Sequence, residues 1–167
     1  MLDKRNMNNN FQRIGSKSNT QAGNDFEELA KKALEKEFNC KFSCNYSVEI
    51  GLNRKKKHNF DLGNDNTLVE CKSHKWTSGN LVPSAKLTVW NEAMYYFMLA
   101  PKEYKKIFFV LRDFNQKKNE TLADYYIRIY FHLIPDDVEV WEYDENKSIV
   151  KKCNKRCSKS FLRSDSK

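Results

Sequence analysis

Two acids and a lysine, Asp61, Glu70 and Lys72, stand on either side of the turn-forming stretch Gly63-Asn64-Asp65-Asn66. Side chains alternate between faces along an extended strand. Glu70 and Lys72 therefore project to one side, and Val69 and Cys71 to the other. A hairpin through the turn brings Asp61 beside Glu70. Two carboxylates and one ammonium then share a small space. Hard oxygen donors of this kind hold Mg²⁺, with Mn²⁺ able to substitute, and leave positions open for water and phosphate oxygens. A neighbouring lysine orients or deprotonates a water, or stabilises charge that builds on a phosphate. The chemistry that fits is metal-dependent hydrolysis of a phosphodiester.

The arrangement resembles the PD-(D/E)XK nucleases, the restriction-endonuclease-like superfamily. The family pattern is an acid, a spacer, then Glu or Asp, any residue, and Lys on the next strand. Asp61 matches the first acid, Glu70 the second and Lys72 the lysine, while Phe60 stands where the family usually has proline. The resemblance covers roughly residues 24–112. It implies an α/β fold with a restriction-endonuclease-like core, a mixed β-sheet flanked by helices, here with additional C-terminal strands. It also implies a Mg²⁺-dependent endonuclease acting on DNA, of restriction or repair type. Asp61, Glu70 and the backbone carbonyl of Cys71 would hold the metal. Glu27 matches a family glutamate that follows Phe on the first helix and helps to bind a second metal or a metal-bound water. An ordinary solvated glutamate, favoured by the helix dipole, is the alternative at that position. A homodimer would let two sites cut both strands. Two other readings stay open: a non-catalytic nucleic-acid-binding module with a structural acid–lysine cluster, and a ribonuclease using the same site. Nothing visible in the sequence reads a 2′-hydroxyl.

The chain of 167 residues, 40% hydrophobic with 11 Phe and 8 Tyr, is long enough for one domain with a real core. No apolar run is long enough to span a membrane and no secretory h-region is present. The expectation is an intracellular, cytoplasmic chain with no membrane partner. Five cysteines, an odd count, favour reduced thiols over a disulfide framework. The net charge of +8 is uneven: residues 1–20 carry four bases and one acid, residues 151–167 seven and one, and residues 21–150 nineteen and twenty. The division that follows is a disordered basic tail over 1–22, a nuclease domain over 23–150, and a basic tail over 151–167. The tails are either solubilising ends or arms for nucleic-acid backbone.

The elements that must position the acids read as follows. Asn24 or Asp25 caps a helix to about residue 38 whose apolar stripe is Phe26, Leu29, Ala30, Ala33 and Leu34, with Glu27 at its edge and Glu28 opposite. Residues 42–50 form a strand, 51–57 a basic turn, and 60–62 and 68–73 the next two strands. Residues 85–99 are a helix with Trp90, Met94, Phe97 and Met98 at helical spacing, ended by Pro101. The continuous apolar run 107–111 is a strand buried on both faces. Residues 125–134 alternate in part, with Ile127, Ile129, Phe131 and Leu133 on one side, which predicts a half-covered strand. Residues 138–150 form a final hairpin. The expected whole is a mixed sheet with two main helices.

Several further groups bear on binding. The basic run Arg54, Lys55, Lys56, Lys57 and His58 precedes the site and either straddles phosphates or forms a solvated turn. Lys75 and Trp76, leaving the Glu-x-Lys strand, either contact backbone and base or cover the edge of the core, and Lys86 is placed to reach a phosphate. His74 is a second general base or a surface histidine. Asn91 and Tyr95 show an Asn-x-x-x-Tyr spacing where some exonucleases of the superfamily carry Gln-x-x-x-Tyr. Cys40 with Cys44, and Cys153 with Cys157, would suit a Cys₄ zinc site if brought together, although the spacing is unlike the usual two-residue knuckle. A second string, Pro135-Asp136 followed by Glu145-Asn146-Lys147, matches the family pattern with its proline, but Glu145 and Lys147 fall in a polar turn with no strand to hold them.

Overall fold

A computed structural model describes residues 19–153. The tails, apart from the residues noted below, lie outside that span, as does Cys157. The architecture is α/β. A mixed six-stranded sheet runs in the order β1 (Ser43–Ile50), β2 (Lys56–Asn64), β3 (Thr67–Lys72), β4 (Lys105–Leu111), β7 (Val138–Asp144), β8 (Ile149–Lys152), and a separate two-stranded ribbon pairs β5 (Phe114–Asn115) with β6 (Glu120–Thr121). β1, β2 and β3 are antiparallel neighbours, β3, β4 and β7 are parallel, and β8 returns antiparallel at the far edge.

The helices α1 (Asn19–Phe38), α2 (Ser84–Leu99) and α3 (Leu122–Tyr130) cover the two faces of the sheet. Parallel neighbours need crossover connections, and α2 and α3 supply them from β3 to β4 and from β4 to β7. Both pack on one face, where Trp90, Phe97, Leu122 and Tyr126 meet Phe108, Val110, Val138 and Val140. Trp90 holds edge-on contacts to Phe108 at 5.1 Å and to Tyr126 at 5.0 Å. Such pairs add about 1 kcal/mol each beyond area burial. On the other face α1 presents Phe26, Ala30 and Leu34 to Val69, Ile107, Phe109 and Trp141. β4 is buried on both sides because its alternating residues serve both layers.

The sequence reading holds for the strand at 107–111, for α2, and for the apolar stripe of α1, with Glu27 half-buried at its edge and Glu28 exposed. It departs from the structure in four places. The first helix begins at Asn19, so residues 19–22, assigned to a disordered tail, are its opening turn. Lys56 and Lys57 belong to β2, so the basic turn is shorter than its basic run. There Gly51 has φ +140, and a Cβ on it would run into the Arg54 carbonyl. The C-terminal strands are no appendage, since β7 is an interior strand beside β4.

The fourth departure is residues 125–134, which are helix α3 and a single 3₁₀ turn rather than a strand. Ile129, Phe131 and Leu133, three of the four residues of the supposed inward face, are exposed. The buried residues are Leu122, Ala123, Tyr126 and Ile127, a spacing of one helical face. Thr121 starts the helix with a capping box: its Oγ accepts from Asp124 N at 3.0 Å, and Asp124 Oδ2 accepts from Thr121 N at 3.3 Å. Thr121→Ala is expected to lower stability by about 1 kcal/mol with an unchanged denaturant slope. An unaltered urea midpoint would remove this account of why the segment is helical.

Candidate active site

The site forms where β2 and β3 part. Their ladder pairs Asn64 with Thr67, Gly63 with Leu68 and Leu62 with Val69. Continuing that register sets Asp61 opposite Glu70, but no backbone pairing is made there. Phe60 packs in the α2 and α3 layer while Leu62 packs in the α1 layer. Regular alternation would send residues 60 and 62 to the same face, so β2 changes face at Asp61. Across on β1, the residue opposite Asp61 is Asn45, with φ +52. That left-handed conformation is one Asn tolerates better than most residues. Gly63 follows because the Tyr46 ring lies over it, 2.6 Å from where a Cβ would stand.

Freed from the ladder, the Asp61 carboxylate turns into the gap and takes a hydrogen bond from the Cys71 N–H at 2.7 Å. Lys72 Nζ donates to Asp61 Oδ2 at 3.2 Å and to Glu70 Oε2 at 2.8 Å. The remaining Glu70 oxygen, Oε1, lies 3.3 Å from His58 Nε2. The His58 ring stacks at 4.0 Å from Tyr96, whose hydroxyl donates to Glu92 at 2.6 Å. The structure thus brings Asp61, Glu70 and Lys72 into one cluster and adds His58. His58 was legible only as the end of a basic run; carrying the β2 alternation back from Phe60 places it on the face that β3 gives to Glu70.

Charge within this cluster is unevenly held. Burial works against ionised Glu70, yet its bonds to His58 and Lys72 outweigh it and hold the carboxyl below the usual range. Asp61 is pushed up by burial and by the charge on Glu70. Lys72 is shared, but Glu70 also holds His58 and has the shorter contact to Lys72, whereas among the described residues Asp61 has no such second side-chain partner and feels the Glu70 charge, so one acid goes down and the other up. Burial alone would lower Lys72; Glu70 and Asp61 overcome this and raise it, so it is an ammonium. Glu27, half-buried on α1, is raised by burial and then by Asp61, with Lys72 and Glu70 also acting on it. It therefore lies, on the α1 side, close enough to the cluster for these charges to act on it.

Cys71 contributes its backbone. Its side chain is buried in the α1 layer and its thiol is pushed well up by burial, so it stays protonated. In an extended strand the N–H and C=O of one residue point the same way, so the Cys71 carbonyl looks into the gap with the N–H that binds Asp61. Among the described residues, no three His, Cys, Asp or Glu side chains meet as a ready-made metal cage. The position between Asp61 and Glu70 that suits a cation is taken by the Lys72 ammonium.

The other candidates separate from this centre or change role. Arg54, Lys55, Lys56 and Lys57 are all exposed around the β1–β2 turn, with Lys56 about 16 Å along the strand from Asp61. Lys75 is exposed and lies 3.8 Å from Glu145. Both line a cleft of about 260 Å³ with Phe26 and Ser73, beside the exit of β3. Trp76 is buried instead of offered to a base; its backbone and indole N–H groups donate to Asp113 at 2.7 and 3.1 Å. Lys86 is exposed in the first turn of α2. Asn91 accepts from the Tyr126 hydroxyl at 2.9 Å while Tyr95 is exposed, so the Asn-x-x-x-Tyr pair does not act as one group.

The competing Asp136 and Glu145 lie beyond opposite ends of β7, about 20 Å apart. A four-cysteine zinc site is also excluded. Cys44 lies on β1 and Cys153 follows β8, at opposite edges of the sheet and about 24 Å apart.

His74 is neither a surface histidine nor a base. It is partly buried, and its Nδ1 accepts the Trp90 indole N–H at 2.9 Å. Burial, then Lys86 and Lys72, lower its pKa to about 4. Compared with known proteins, the chain matches no protein-family model, no curated protein and no solved structure.

The His74 shift sets a stability window. A base whose folded pKa is depressed binds fewer protons folded than unfolded, so its contribution is present above the unfolded value of 6.5 and is lost as pH falls toward about 4. His74→Gln, which keeps a neutral polar side chain, is expected to lose less stability than the wild type between those limits. Parallel slopes in urea titrations of the two proteins would contradict this.

Proposed function

We propose that the chain is a metal-dependent endonuclease of the PD-(D/E)XK type, hydrolysing phosphodiester bonds in DNA on a restriction-endonuclease-like core formed by α1, β1 to β4 and α2. The observation that carries this reading is the convergence of Asp61, Glu70 and Lys72 at the parting of β2 and β3, with Glu27 of α1 close enough for their charges to act on it.

The donor set suits a hard divalent ion. Asp61 and Glu70 offer carboxylate oxygens and Cys71 a carbonyl, and the two acids already draw a cation, the Lys72 ammonium, between them. Mg²⁺ or Mn²⁺ held there would neutralise phosphate charge and lower the pKa of water. The side chains of the chain supply the rest. Lys72, an ammonium, donates hydrogen bonds to a phosphate oxygen or to the attacking water, so its role is charge stabilisation and positioning and not proton abstraction. Among the described residues Glu27 is a further carboxylate within the field of the cluster, and it would accept a hydrogen bond from that water and orient it. Hydrolysis forms a new P–O bond to the water oxygen and breaks the bond to the leaving oxygen, which takes up the proton. Two copies related by a two-fold axis would cut both strands.

A non-catalytic nucleic-acid-binding role is favoured by one observation: Lys72 already compensates both acids, as it would in a purely structural cluster. Thermal melting separates the two. Lys72→Met removes the ammonium shared by buried Glu70 and partly buried Asp61 and is expected to cost about 3 kcal/mol without divalent ions. Millimolar Mn²⁺ should then raise the melting temperature of Lys72→Met more than that of the wild type, because the ion no longer competes with an ammonium. Absence of any Mn²⁺ shift in both proteins would leave only the structural cluster.

Cleavage is tested on supercoiled, branched and single-stranded DNA, and on RNA, with Mg²⁺ or Mn²⁺. Asp61→Ala and Lys72→Met are each expected to lower the rate by about 10²-fold or more. An Asp61→Ala protein that cut at the wild-type rate would end the proposal.

A further inference from the structure

We propose that His74 is a neutral phosphate donor, its Nε2–H forming with the exposed ammonium of Lys86 a subsite that grips a phosphate oxygen of the substrate beside the cleavage centre. The reaction this subsite serves rests on the nuclease reading above; the anion site itself rests on the geometry of the ring.

An indole N–H can only donate. Trp90 Nε1 lies 2.9 Å from His74 Nδ1, so Nδ1 is the acceptor and carries no proton. The single proton of the neutral ring is therefore on Nε2. This tautomer is fixed by the core, because Trp90 is fully buried and wedged against Phe108 and Tyr126. Trp90 and Lys86 lie one helical turn apart on α2, and Lys72 ends the strand from which His74 departs.

Among the described residues Nε2 has no hydrogen-bond partner; the one bond of the ring is to Trp90. His58 offers a contrast, since its Nε2 is engaged by Glu70. Lys86 and Lys72 are both close enough to act on the ring and, with burial, keep it uncharged.

One oriented N–H and the exposed Lys86 ammonium, with no carboxylate bonded to the ring, describe a receptor for an oxyanion, while Lys72 stays paired with Asp61 and Glu70. Exposed Lys86 supplies mobile charge, while His74 supplies direction. The arrangement also removes His74 from proton abstraction, since its one lone pair is already bonded to Trp90.

The test uses the full chain. Long-range ¹H–¹⁵N spectra are simple to assign because the sequence holds 3 His. His74 is expected as the Nε2–H tautomer, and inorganic phosphate added without metal, against chloride at equal ionic strength, should move Nε2 and leave Nδ1 in place. Binding of a labelled single-stranded oligonucleotide in EDTA should weaken about tenfold in His74→Ala. His74→Gln, which returns an N–H donor near Nε2 but cannot act as a base, should recover most of that loss.

An Nδ1–H tautomer, unchanged binding in His74→Ala, or a Gln variant as weak as the Ala variant would each overturn the inference. The two readings fail separately. If no substrate is cut but the Ala loss and Gln recovery appear, the anion site stands and the nuclease reading falls. If Asp61→Ala abolishes cleavage while His74→Ala alters neither binding nor rate, the reverse holds.

Discussion

The hydrogen bond from the Cys71 N–H to the Asp61 carboxylate is the contact on which the site depends. It replaces a ladder bond that β2 and β3 would otherwise make, and so it lets the strands part without leaving a buried donor unmet. An orphaned N–H there would cost about 1–3 kcal/mol. Because the strands part, the Asp61 side chain lies in the plane of the sheet and not on either face. From that position it meets Lys72 from the α2 side and lies within the field of Glu27 from the α1 side. A regular ladder would have put Asp61 on one face only, with the sheet itself between it and one of its partners.

That geometry concentrates negative charge, and the cluster is arranged to tolerate it. Two carboxylates in a partly buried gap repel each other by several kcal/mol at a protein-like dielectric. Lys72 between them and His58 behind Glu70 offset the repulsion, which is why Glu70 keeps its charge while Asp61 is pushed toward protonation. Removal of Lys72 would leave a charge uncompensated, and that cost, not the net worth of the ion pairs, is what makes the cluster sensitive. The same balance explains how a divalent ion could enter: it would take over a job that an ammonium already does.

Around this centre the fold builds a rigid frame from apolar contact. Trp76, tied to Asp113 by two hydrogen bonds, holds the chain as it leaves β3. Trp90 fixes the ring of His74 from within the core. The pair of crossovers through α2 and α3 makes β4 and β7 a parallel centre, so β3 is held on its far side by a fully buried strand. Groups at the end of β3 therefore keep their relative positions, which is what the proposed chemistry on a phosphate would require.

The sequence alone determined which residues could act and which elements carry them. Period-two alternation put Glu70 and Lys72 on one face and Cys71 on the other. The turn chemistry at Gly63-Asn64-Asp65-Asn66 brought Asp61 to Glu70, and the apolar run at 107–111 marked the central strand. It also placed Glu27 at the edge of the buried stripe of α1. The helical reading of α3 was present in Thr121, Asp124 and the spacing of Leu122, Ala123, Tyr126 and Ile127, but the partial alternation of Ile127, Ile129, Phe131 and Leu133 competed with it. Tertiary structure decided what depends on partners distant in the chain. The change of face in β2 at Asp61, the engagement of His58 by Glu70, the proton position on His74 set by Trp90, the burial of Trp76 and the separation of the cysteines to opposite edges all follow from which surfaces are left to pack. Local sequence encodes the direction a side chain takes from its own backbone, whereas what that side chain meets is fixed only when the whole sheet and its helices close around it.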